Sequence, residues 1–233
     1  MQESKLKVSL FIPVKNEIVG LKAVLPRINK EWIDEIVFID GNSKDGTIEY
    51  IESFGYKVIQ QSKPGLLNAW WDGFDNCHGD VIIPFSPDNN SVPEDIPKLI
   101  NKLNEGYDIV IASRYAPGAK SYDDNFSSNF ANKMFTLMIN ILFRGQYTDS
   151  LTMYKAFKKQ LLVDLDLVKN RSDHFEVMLA CRAAKRKLKI TEIPSDEPSR
   201  LDGGDSRAHP GRFGKVKSAF QFLYIIFREW IFF

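Results

Sequence analysis

The chain has 233 residues, of which 44% are hydrophobic and 26% are charged, a composition that is typical of a globular protein and not of a disordered one. Its 31 basic and 30 acidic residues nearly balance, so the chain as a whole is not a binder of polyanions such as nucleic acids. Cys77 and Cys181 lie far apart without a CxxC pattern, which disfavours structural zinc and a disulfide framework and favours a reducing compartment. We do not expect the opening MQESKLKVSLFIPV to be a signal peptide, because its apolar run is short and no small-residue cleavage site follows.

Strands and helices alternate through the first half of the chain. Apolar, β-branched runs predict strands, and segments with helical apolar spacing between them predict helices. The predicted strands are 7–14, 35–40, 56–61, 80–85 and 108–115. The predicted helices are 18–32, 47–55, 66–77 and 93–106. This alternation predicts an α/β fold with a mostly parallel sheet, and ligands of such sheets bind beyond the carboxyl ends of the strands.

Three polar side chains fall near those predicted strand ends. Asp40 ends the second strand, Asp88 follows the fourth, and Arg114 lies at the end of the fifth. The carboxyl ends of parallel strands share one edge of the sheet, so we expect these side chains to lie close together. The sequence therefore predicts a ligand site at this edge.

The second half of the chain lacks this regular alternation. APGAKSYDDNFSSN (116–129) is polar and rich in Gly, Ser, Asn and Asp, which predicts a mobile loop. Helices are predicted over 129–143 and 174–187, and 189–200 predicts a strand that leads into a basic, glycine-rich loop. No internal repeat and no Pro- or Ser-rich linker divides the chain, so we expect one domain with an elaborated carboxyl-terminal half.

The sequence ends in a basic segment followed by an apolar one. From Lys185 to Arg228 there are ten Lys and Arg residues against five acidic ones, and the chain then ends in SAFQFLYIIFREWIFF. A membrane span needs about 20 uninterrupted apolar residues, and Arg228 and Glu229 interrupt this run. Three interpretations stay open: a helix packed on the domain, an interfacial helix with aromatic anchors behind a basic patch, or a truncated membrane span.

Six motifs occur in a characteristic order: FIPVKNE (11–17), IDGNSKDGT (39–47), KPGLLNAWWDGF (63–74), GDVIIPFSPDNNSVPEDIPKLI (79–100), DIVIASRY (108–115) and DSLTMYKAF (149–157). In this order they resemble the family 2 glycosyltransferases, most closely the branch of dolichyl- and polyprenyl-phosphate sugar transferases. EPSRLDGGDSR resembles the late arginine motif of that branch. The resemblance implies a GT-A fold, a UDP- or GDP-linked sugar donor, and Mg²⁺ or Mn²⁺ as cofactor.

The same resemblance divides the chain by role. It implies a glycosyltransferase domain over 1–217, in which 1–115 binds the nucleotide sugar and 116–217 meets the acceptor. Residues 218–233 would then form the apolar helix that associates with a membrane. The protein is expected in the cytoplasm, peripheral at the cytoplasmic face of a membrane, where it would act in the synthesis of cell-envelope glycans.

Five residues near the first strand tips are the candidates for donor binding. The resemblance places Asp40 on the nucleobase and Glu17 near the ribose or base, with Pro13 and Asn16 at the same tip. Lys63 would reach a donor phosphate as a point charge. The alternatives are helix capping for Asn16, a turn for Asp40 and a solvated loop position for Lys63.

The segment SPDNN replaces the metal-binding DxD motif of relatives. Aligned with that motif, Ser86 takes the first position and Asp88 the last, and Asn90 lies where some relatives use an amide oxygen as a ligand. One carboxylate, one amide and two phosphate oxygens suffice for Mg²⁺ in principle, although the lost charge weakens binding without nucleotide. We therefore expect a working but weakened metal site at Asp88 and Asn90, rather than a relic.

Arginines are the candidates for the acceptor side. A lipid phosphate is already ionised near neutral pH and needs no strong base, so cations that hold it in line matter more. Arg200 and Arg207 are expected to bind the acceptor phosphate, with Arg114 as a third, catalytic candidate. If the acceptor is instead a sugar hydroxyl, Asp149 is the leading candidate for the base.

Two other functions remain as alternatives. A nucleotidyltransferase shares this kind of sheet but carries a Gly-rich, Arg-bearing loop after the first strand, where this chain has PVKNE. A non-catalytic protein that binds nucleotide sugars is the other alternative, because Ser86 removes a carboxylate from the motif.

Overall fold

The computed structural model describes residues 6–171, 174–201 and 211–233. Seven strands form one sheet, in the order β3-β2-β1-β4-β6-β5-β7. They are β1 (Val8–Val14), β2 (Glu35–Asp40), β3 (Val58–Gln60), β4 (Val81–Pro84), β5 (Ile109–Ser113), β6 (Lys155–Lys158) and β7 (Ile190–Pro194). All neighbouring strands run parallel except β6, which is antiparallel to both β4 and β5. The predicted, mostly parallel α/β sheet is therefore confirmed.

Helices cover both faces of the sheet. They are α1 (Ile18–Val24), α2 (Thr47–Ser53), α3 (Leu66–Asn76), α4 (Ile96–Asn104), α5 (Phe126–Phe143), α6 (Leu161–Asp164), α7 (Phe175–Lys185) and α8 (Gly211–Phe232). Buried side chains of α1, α2 and α4 form one apolar cluster with the sheet. Those of α3, α5, α7 and α8 form a second cluster on the other face. Burial on both faces explains why the central strands are continuous apolar runs rather than alternating ones.

Three helices differ from the sequence prediction. The predicted helix over 18–32 ends at Val24 and continues as two short 3₁₀ turns, because Pro26 has no amide hydrogen to donate and its ring disfavours an α-helix interior. The predicted helix over 93–106 begins as a 3₁₀ turn and becomes α-helical at Ile96. Helix α5 begins at Phe126, three residues earlier than predicted, because the side chain of Asn125 caps it by accepting a hydrogen bond from the Ser128 amide at 2.9 Å.

The antiparallel direction of β6 shapes the edge of the sheet. The parallel strands β1, β2, β4, β5 and β7 end at this edge, whereas β6 begins there. The residues just before β6, including Asp149, therefore meet the residues just after β5, including Arg114. The polar segment after β5 is a loop only as far as Asn125, since 126–129 already belong to α5. This loop pairs with the chain after β7 through Tyr122 and Glu197.

The carboxyl-terminal helix packs on the domain. Phe222 of α8 meets Phe135 of α5 with ring centroids 5.3 Å apart. Glu229 is buried and accepts two hydrogen bonds from the buried Arg182 of α7, at 2.7 and 3.0 Å. Glu229, which interrupts the apolar run of the sequence, thus anchors the helix to α7. Across the three described stretches of the chain, no helix combines the length and apolar character that crossing a membrane requires.

Candidate functional site

The turns after β1 and β2 are joined into one rim. Asn16 adopts a left-handed conformation with φ of 54°, which Asn tolerates better than most residues. The backbone amide of Asn16 donates a hydrogen bond to Ser43 Oγ at 2.9 Å, and its side-chain Oδ1 accepts one from the backbone amide of Lys44 at 2.7 Å. The Glu17 amide donates to Thr47 Oγ1 at 2.9 Å. Asn16 therefore holds the two turns together, and Glu17 stands at their junction.

Asp40 has a structural task at this rim. Its carboxylate is fully buried and accepts hydrogen bonds from the backbone amides of Asn42 at 2.8 Å and of Ser43 at 3.1 Å. Lys63 lies in the turn that follows β3, with its side chain exposed, and Pro13 is half-buried in β1. The structure thus brings the five predicted donor residues to one edge of the sheet. A donor-binding role for each of them stays a prediction.

The segment after β4 presents oxygen atoms. Ser86 Oγ donates a hydrogen bond to Asp88 Oδ1 at 2.6 Å, and the backbone amide of Asn90 donates to the same oxygen at 3.1 Å. The Asn90 Oδ1 is buried and has no hydrogen-bond partner within the described part of the chain. A buried polar atom normally has a partner, and Mg²⁺ and Mn²⁺ accept amide and carboxylate oxygens. Asp88 and Asn90 therefore fit the divalent cation that the family implies.

The same segment lacks a conventional metal cluster. No group of three His, Cys, Asp or Glu side chains able to hold a metal occurs among residues 6–171, 174–201 and 211–233. A cation at Asp88 and Asn90 would therefore depend on further oxygens, such as those of a bound diphosphate.

Arg200 lies against this segment. Its Nε is 3.3 Å from Asp88 Oδ2, and its Nη2 is 3.4 Å from Asp123 Oδ2. Asp123, in the loop before α5, also accepts a hydrogen bond from Asn90 Nδ2 at 3.2 Å. The sequence singled out Arg200 but not Asp123, because only the pairing of the two loops brings Asp123 to the site. The other predicted acceptor residue, Arg207, lies outside the described residues.

Arg114 is the centre of a network of acidic residues. Its Nε and Nη2 donate to Asp149 at 2.7 and 3.0 Å, and its Nη1 donates to Glu197 at 3.2 Å. Asp124 approaches the same Nη1 at 3.9 Å. Because carboxylates surround the guanidinium, Arg114 is poorly placed in this arrangement to receive a phosphate. It ties the ends of β5, β6 and β7 together instead.

The environment of Asp149 does not suit a general base. Burial alone would raise the pKa of Asp149, but the charge of Arg114 and its hydrogen bonds outweigh burial and hold this pKa below its usual range. Asn132 Nδ2 donates to the same carboxylate at 3.2 Å. A carboxylate with a lowered pKa and occupied oxygens takes up a proton poorly. The predicted role of Asp149 as a base is therefore not favoured by this geometry.

Lys155 is a second charged group that sequence patterns missed. It opens β6, is 3% exposed, and its Nζ lies 3.5 Å from the Ser150 carbonyl oxygen. Burial lowers the pKa of this amine to about 8, against the attraction of Glu176 and Asp149. No periodicity marks Lys155, because a lysine in a four-residue strand looks like an ordinary exposed position.

Solved structures with the same fold include two complexes of glucosyl-3-phosphoglycerate synthase from Mycobacterium tuberculosis. The complex with Mn²⁺, UDP and phosphoglyceric acid has a TM-score of 0.71 at 16% identity, covering 97% of this chain and 79% of the other. The complex with Mg²⁺ and UDP has a TM-score of 0.68 at 16% identity, covering 96% and 79%. The likeness confirms the predicted GT-A type of α/β fold.

Sequence comparison finds more similar relatives. Glycosyltransferase AglJ of Haloferax volcanii is 31% identical over 90% of this chain and 69% of its own length. Dolichol-phosphate mannosyltransferase of Pyrococcus furiosus is 29% identical over 96% of this chain, which spans 63% of that relative. Undecaprenyl-phosphate mannosyltransferase of Micrococcus luteus is 26% identical over 91% of both chains.

The family model described as "Glycosyl transferase family 2" matches residues 9–165, which include β2 to β6, all of β1 but its first residue, and the site segments up to Asp149. This match covers more than half of the chain, and the sequence motifs, the sheet and the relatives agree with it. The chain belongs to glycosyl transferase family 2.

Proposed function

We propose that this protein transfers a sugar from a nucleotide-sugar donor to the phosphate of a polyprenyl lipid at a membrane surface. The observation that carries the proposal is the edge of the sheet where Asp88, Asn90 and Arg200 lie together. Oxygen ligands for a cation and a guanidinium for a phosphate stand side by side there. Two of the relatives described above are named for transfer to dolichol phosphate or undecaprenyl phosphate.

The donor would lie over the strand tips that Asn16 and Asp40 organise. Asp88 and Asn90 would hold Mg²⁺ or Mn²⁺, which neutralises charge on the departing nucleoside diphosphate. Lys63, exposed in the turn after β3, would add a positive charge near the phosphates.

The acceptor side supports a phosphate better than a hydroxyl. A phosphate oxygen is already an anion near neutral pH and attacks without losing a proton, whereas a sugar hydroxyl needs a general base. Asp149 is bound to Arg114 through both carboxylate oxygens and is fully buried. Arg200 would contact the acceptor phosphate, and Arg207 remains a second candidate for this contact.

Two neighbouring helices support a membrane location. Exposed apolar side chains recur on one side of α5 and on one side of α8, and the two helices meet at Phe135 and Phe222. The α5 stripe comprises Phe126, Phe130, Met134, Leu137 and Ile141, and the α8 stripe comprises Val216, Phe220, Tyr224, Phe227 and Ile231. Helix α5 begins three residues after Asp123 of the site. A lipid acceptor would therefore be met where the apolar surface begins, and the protein would lie peripherally on the cytoplasmic face of a membrane.

The test is a product screen. The full chain is incubated with a panel of UDP- and GDP-sugars, Mn²⁺ and a polyprenyl phosphate, and lipid products are identified by mass spectrometry. A glycosylated polyprenyl phosphate is expected from one donor. The matched controls are the free polyprenol, which lacks the phosphate, and Asp88→Asn, which removes the carboxylate of the motif and is expected to abolish nearly all turnover.

Two results would contradict the proposal. Glycosylation of the polyprenol as fast as of its phosphate would exclude the phosphate as nucleophile. Tight binding of a nucleotide sugar with no transfer or hydrolysis, with or without Mn²⁺, would favour the non-catalytic binding protein instead.

A further inference from the structure

The loop before α5 brings a second carboxylate to the Asp88 segment. Asp123 Oδ2 accepts a hydrogen bond from Asn90 Nδ2 at 3.2 Å, and its Oδ1 lies 3.4 Å from the Arg200 amide nitrogen. Ser86 leaves the motif itself with one carboxylate. Asp123 therefore restores the acidic pair from a different part of the chain.

A guanidinium bridges these two carboxylates. Arg200 reaches Asp88 Oδ2 through Nε at 3.3 Å and Asp123 Oδ2 through Nη2 at 3.4 Å. The Nε is buried, and its contact with Asp88 lacks hydrogen-bond geometry. The arginine thus satisfies the charge of the pair without good directional bonds. Two neighbouring carboxylates favour a cation between them. A guanidinium held without good hydrogen-bond geometry can be replaced by another cation.

The third feature is the amide oxygen of Asn90. This Oδ1 is buried without a hydrogen-bond partner in the described stretches, although the Nδ2 of the same side chain is bound to Asp123. Arg200 therefore compensates the carboxylates but leaves the amide oxygen unsatisfied. A divalent cation would satisfy both, since hard cations accept carboxylate and amide oxygens together.

We propose that Asp123 is a second carboxylate ligand of the cation site, and that Arg200 is the counter-cation that a divalent ion displaces when it binds. The proposal rests on the proposed nucleotide-sugar transfer, in which the donor diphosphate would supply the remaining oxygens. Without nucleotide, water oxygens would take those positions. It makes two requirements of opposite sign. Loss of Asp123 must weaken cation binding, whereas loss of the charge of Arg200 must strengthen it, since a competing cation is removed.

The test is Mn²⁺ binding by the full chain without nucleotide, followed by the electron paramagnetic resonance signal of free Mn²⁺. Asp123→Asn is expected to raise the Kd about five-fold or more, and Arg200→Gln to lower it about three-fold or more. Arg200→Lys keeps the charge and is expected to bind within about two-fold of the unmodified protein. Asp124→Asn is the matched control for charge, because Asp124 contacts Tyr115 and Arg114 instead.

Each outcome decides a part of the proposal. An unchanged Kd in Asp123→Asn, or an equal rise in Asp124→Asn, overturns the ligand role of Asp123. An unchanged or raised Kd in Arg200→Gln, with a melting temperature near that of the unmodified protein, overturns the displacement. Absence of saturable Mn²⁺ binding in every protein up to on the order of 10 mM overturns both parts. Failure of sugar transfer with the expected Mn²⁺ pattern intact would overturn only the proposed function.

Discussion

Gly20 lies against the backbone of the Asp88 segment. A Cβ at this position would stand 2.1 Å from the Pro87 carbonyl oxygen and 2.9 Å from the Asp88 Cα. Backbone atoms cannot rotate away as the end of a flexible side chain can, so the close approach requires glycine. Helix α1 therefore packs directly against the backbone of the candidate metal segment at Pro87 and Asp88.

Replacing this glycine should disturb both stability and cation binding. Gly20→Ala is expected to cost about 1–3 kcal/mol through overpacking, although alanine alone would favour the helix by about 1 kcal/mol. Mn²⁺ binding should weaken, because Asp88 is pushed away. Urea unfolding and Mn²⁺ titration measure the two effects, with Val19→Ala, an exposed position of the same helix, as control. A Gly20→Ala protein as stable as the unmodified one would show that the Asp88 segment moves away from the new methyl group without a cost in stability.

Lys155 should make stability depend on pH in the alkaline range. Burial lowers its pKa to about 8 from 10.5, so the folded state binds this proton less tightly than the unfolded state does. The stability contribution of Lys155 is therefore complete above pH 10.5 and is lost as the pH falls through about 8. Below that pH, a charged amine is held in the core at a cost.

The matching variant is Lys155→Met. We expect it to be more stable than the unmodified protein at pH 7 by about 1–3 kcal/mol, with the difference shrinking as the pH rises toward 10.5. Urea unfolding at several pH values measures the difference. Lys158→Met, which removes a partly exposed lysine paired with Asp108 at 2.7 Å, is the control. A difference that stays constant between pH 7 and 10 would contradict the buried-amine interpretation.

At the scale of elements, α8 has two faces with different tasks. One face carries Phe222, Ile225, Ile226 and Glu229 into the core, and the other exposes Phe220 and Tyr224. Deletion of residues 219–233 would remove both faces together, uncover the apolar core beneath the helix and break the buried Arg182–Glu229 pair. Substitution of the exposed face alone is therefore the sharper test of membrane binding.

The double variant Phe220→Ser with Tyr224→Ser should bind vesicles several-fold less than the unmodified protein while melting at a similar temperature. The apolar burial that these two side chains contribute at the interface is lost. The other apolar side chains of α5 and α8 and the attraction of basic residues to anionic lipid, about 1 kcal/mol for each residue, remain. Sedimentation with anionic liposomes at low and high salt measures this. Val163→Ser, an exposed apolar position on α6, is the control. Equal sedimentation of all three proteins would show that the exposed face of α8 does not contribute to membrane binding.

At the scale of the whole molecule, the two proposed functional halves contribute strands to one and the same sheet. Strand β6 comes from 116–217 but lies between β4 and β5, which both belong to 1–115. The division remains a prediction about binding roles, and it does not describe two structural units. Without β6, β5 loses its hydrogen-bonded link to the rest of the sheet.

A fragment of residues 1–115 should therefore fail to fold cooperatively. The open edges of β4 and β5 would expose apolar surface and unpaired backbone groups, whereas the full chain should unfold in one transition. Near-ultraviolet circular dichroism during urea unfolding distinguishes the two. A fragment with a cooperative transition and native-like aromatic signals would show that the first half is autonomous.

The sequence by itself determined the alternating elements and the edge that carries the site. Strand β2 has the predicted bounds, because a short apolar run that ends in an acidic residue is a local signal of a buried strand and its tip. The family motifs likewise marked Asp88, Arg114, Asp149 and Arg200 without any tertiary information.

Only the tertiary structure decided which charges face each other. Asp123 contacts Asn90 and Arg200 across separations of 33 and 77 residues, and no local pattern encodes such a pairing. The same holds for Gly20 under the Asp88 segment and for Arg114, which the sequence predicted near a phosphate and the fold surrounds with carboxylates. Hydrophobic periodicity specifies what is buried, whereas the partner of a buried charge depends on which loops the packed sheet and helices bring to the same place.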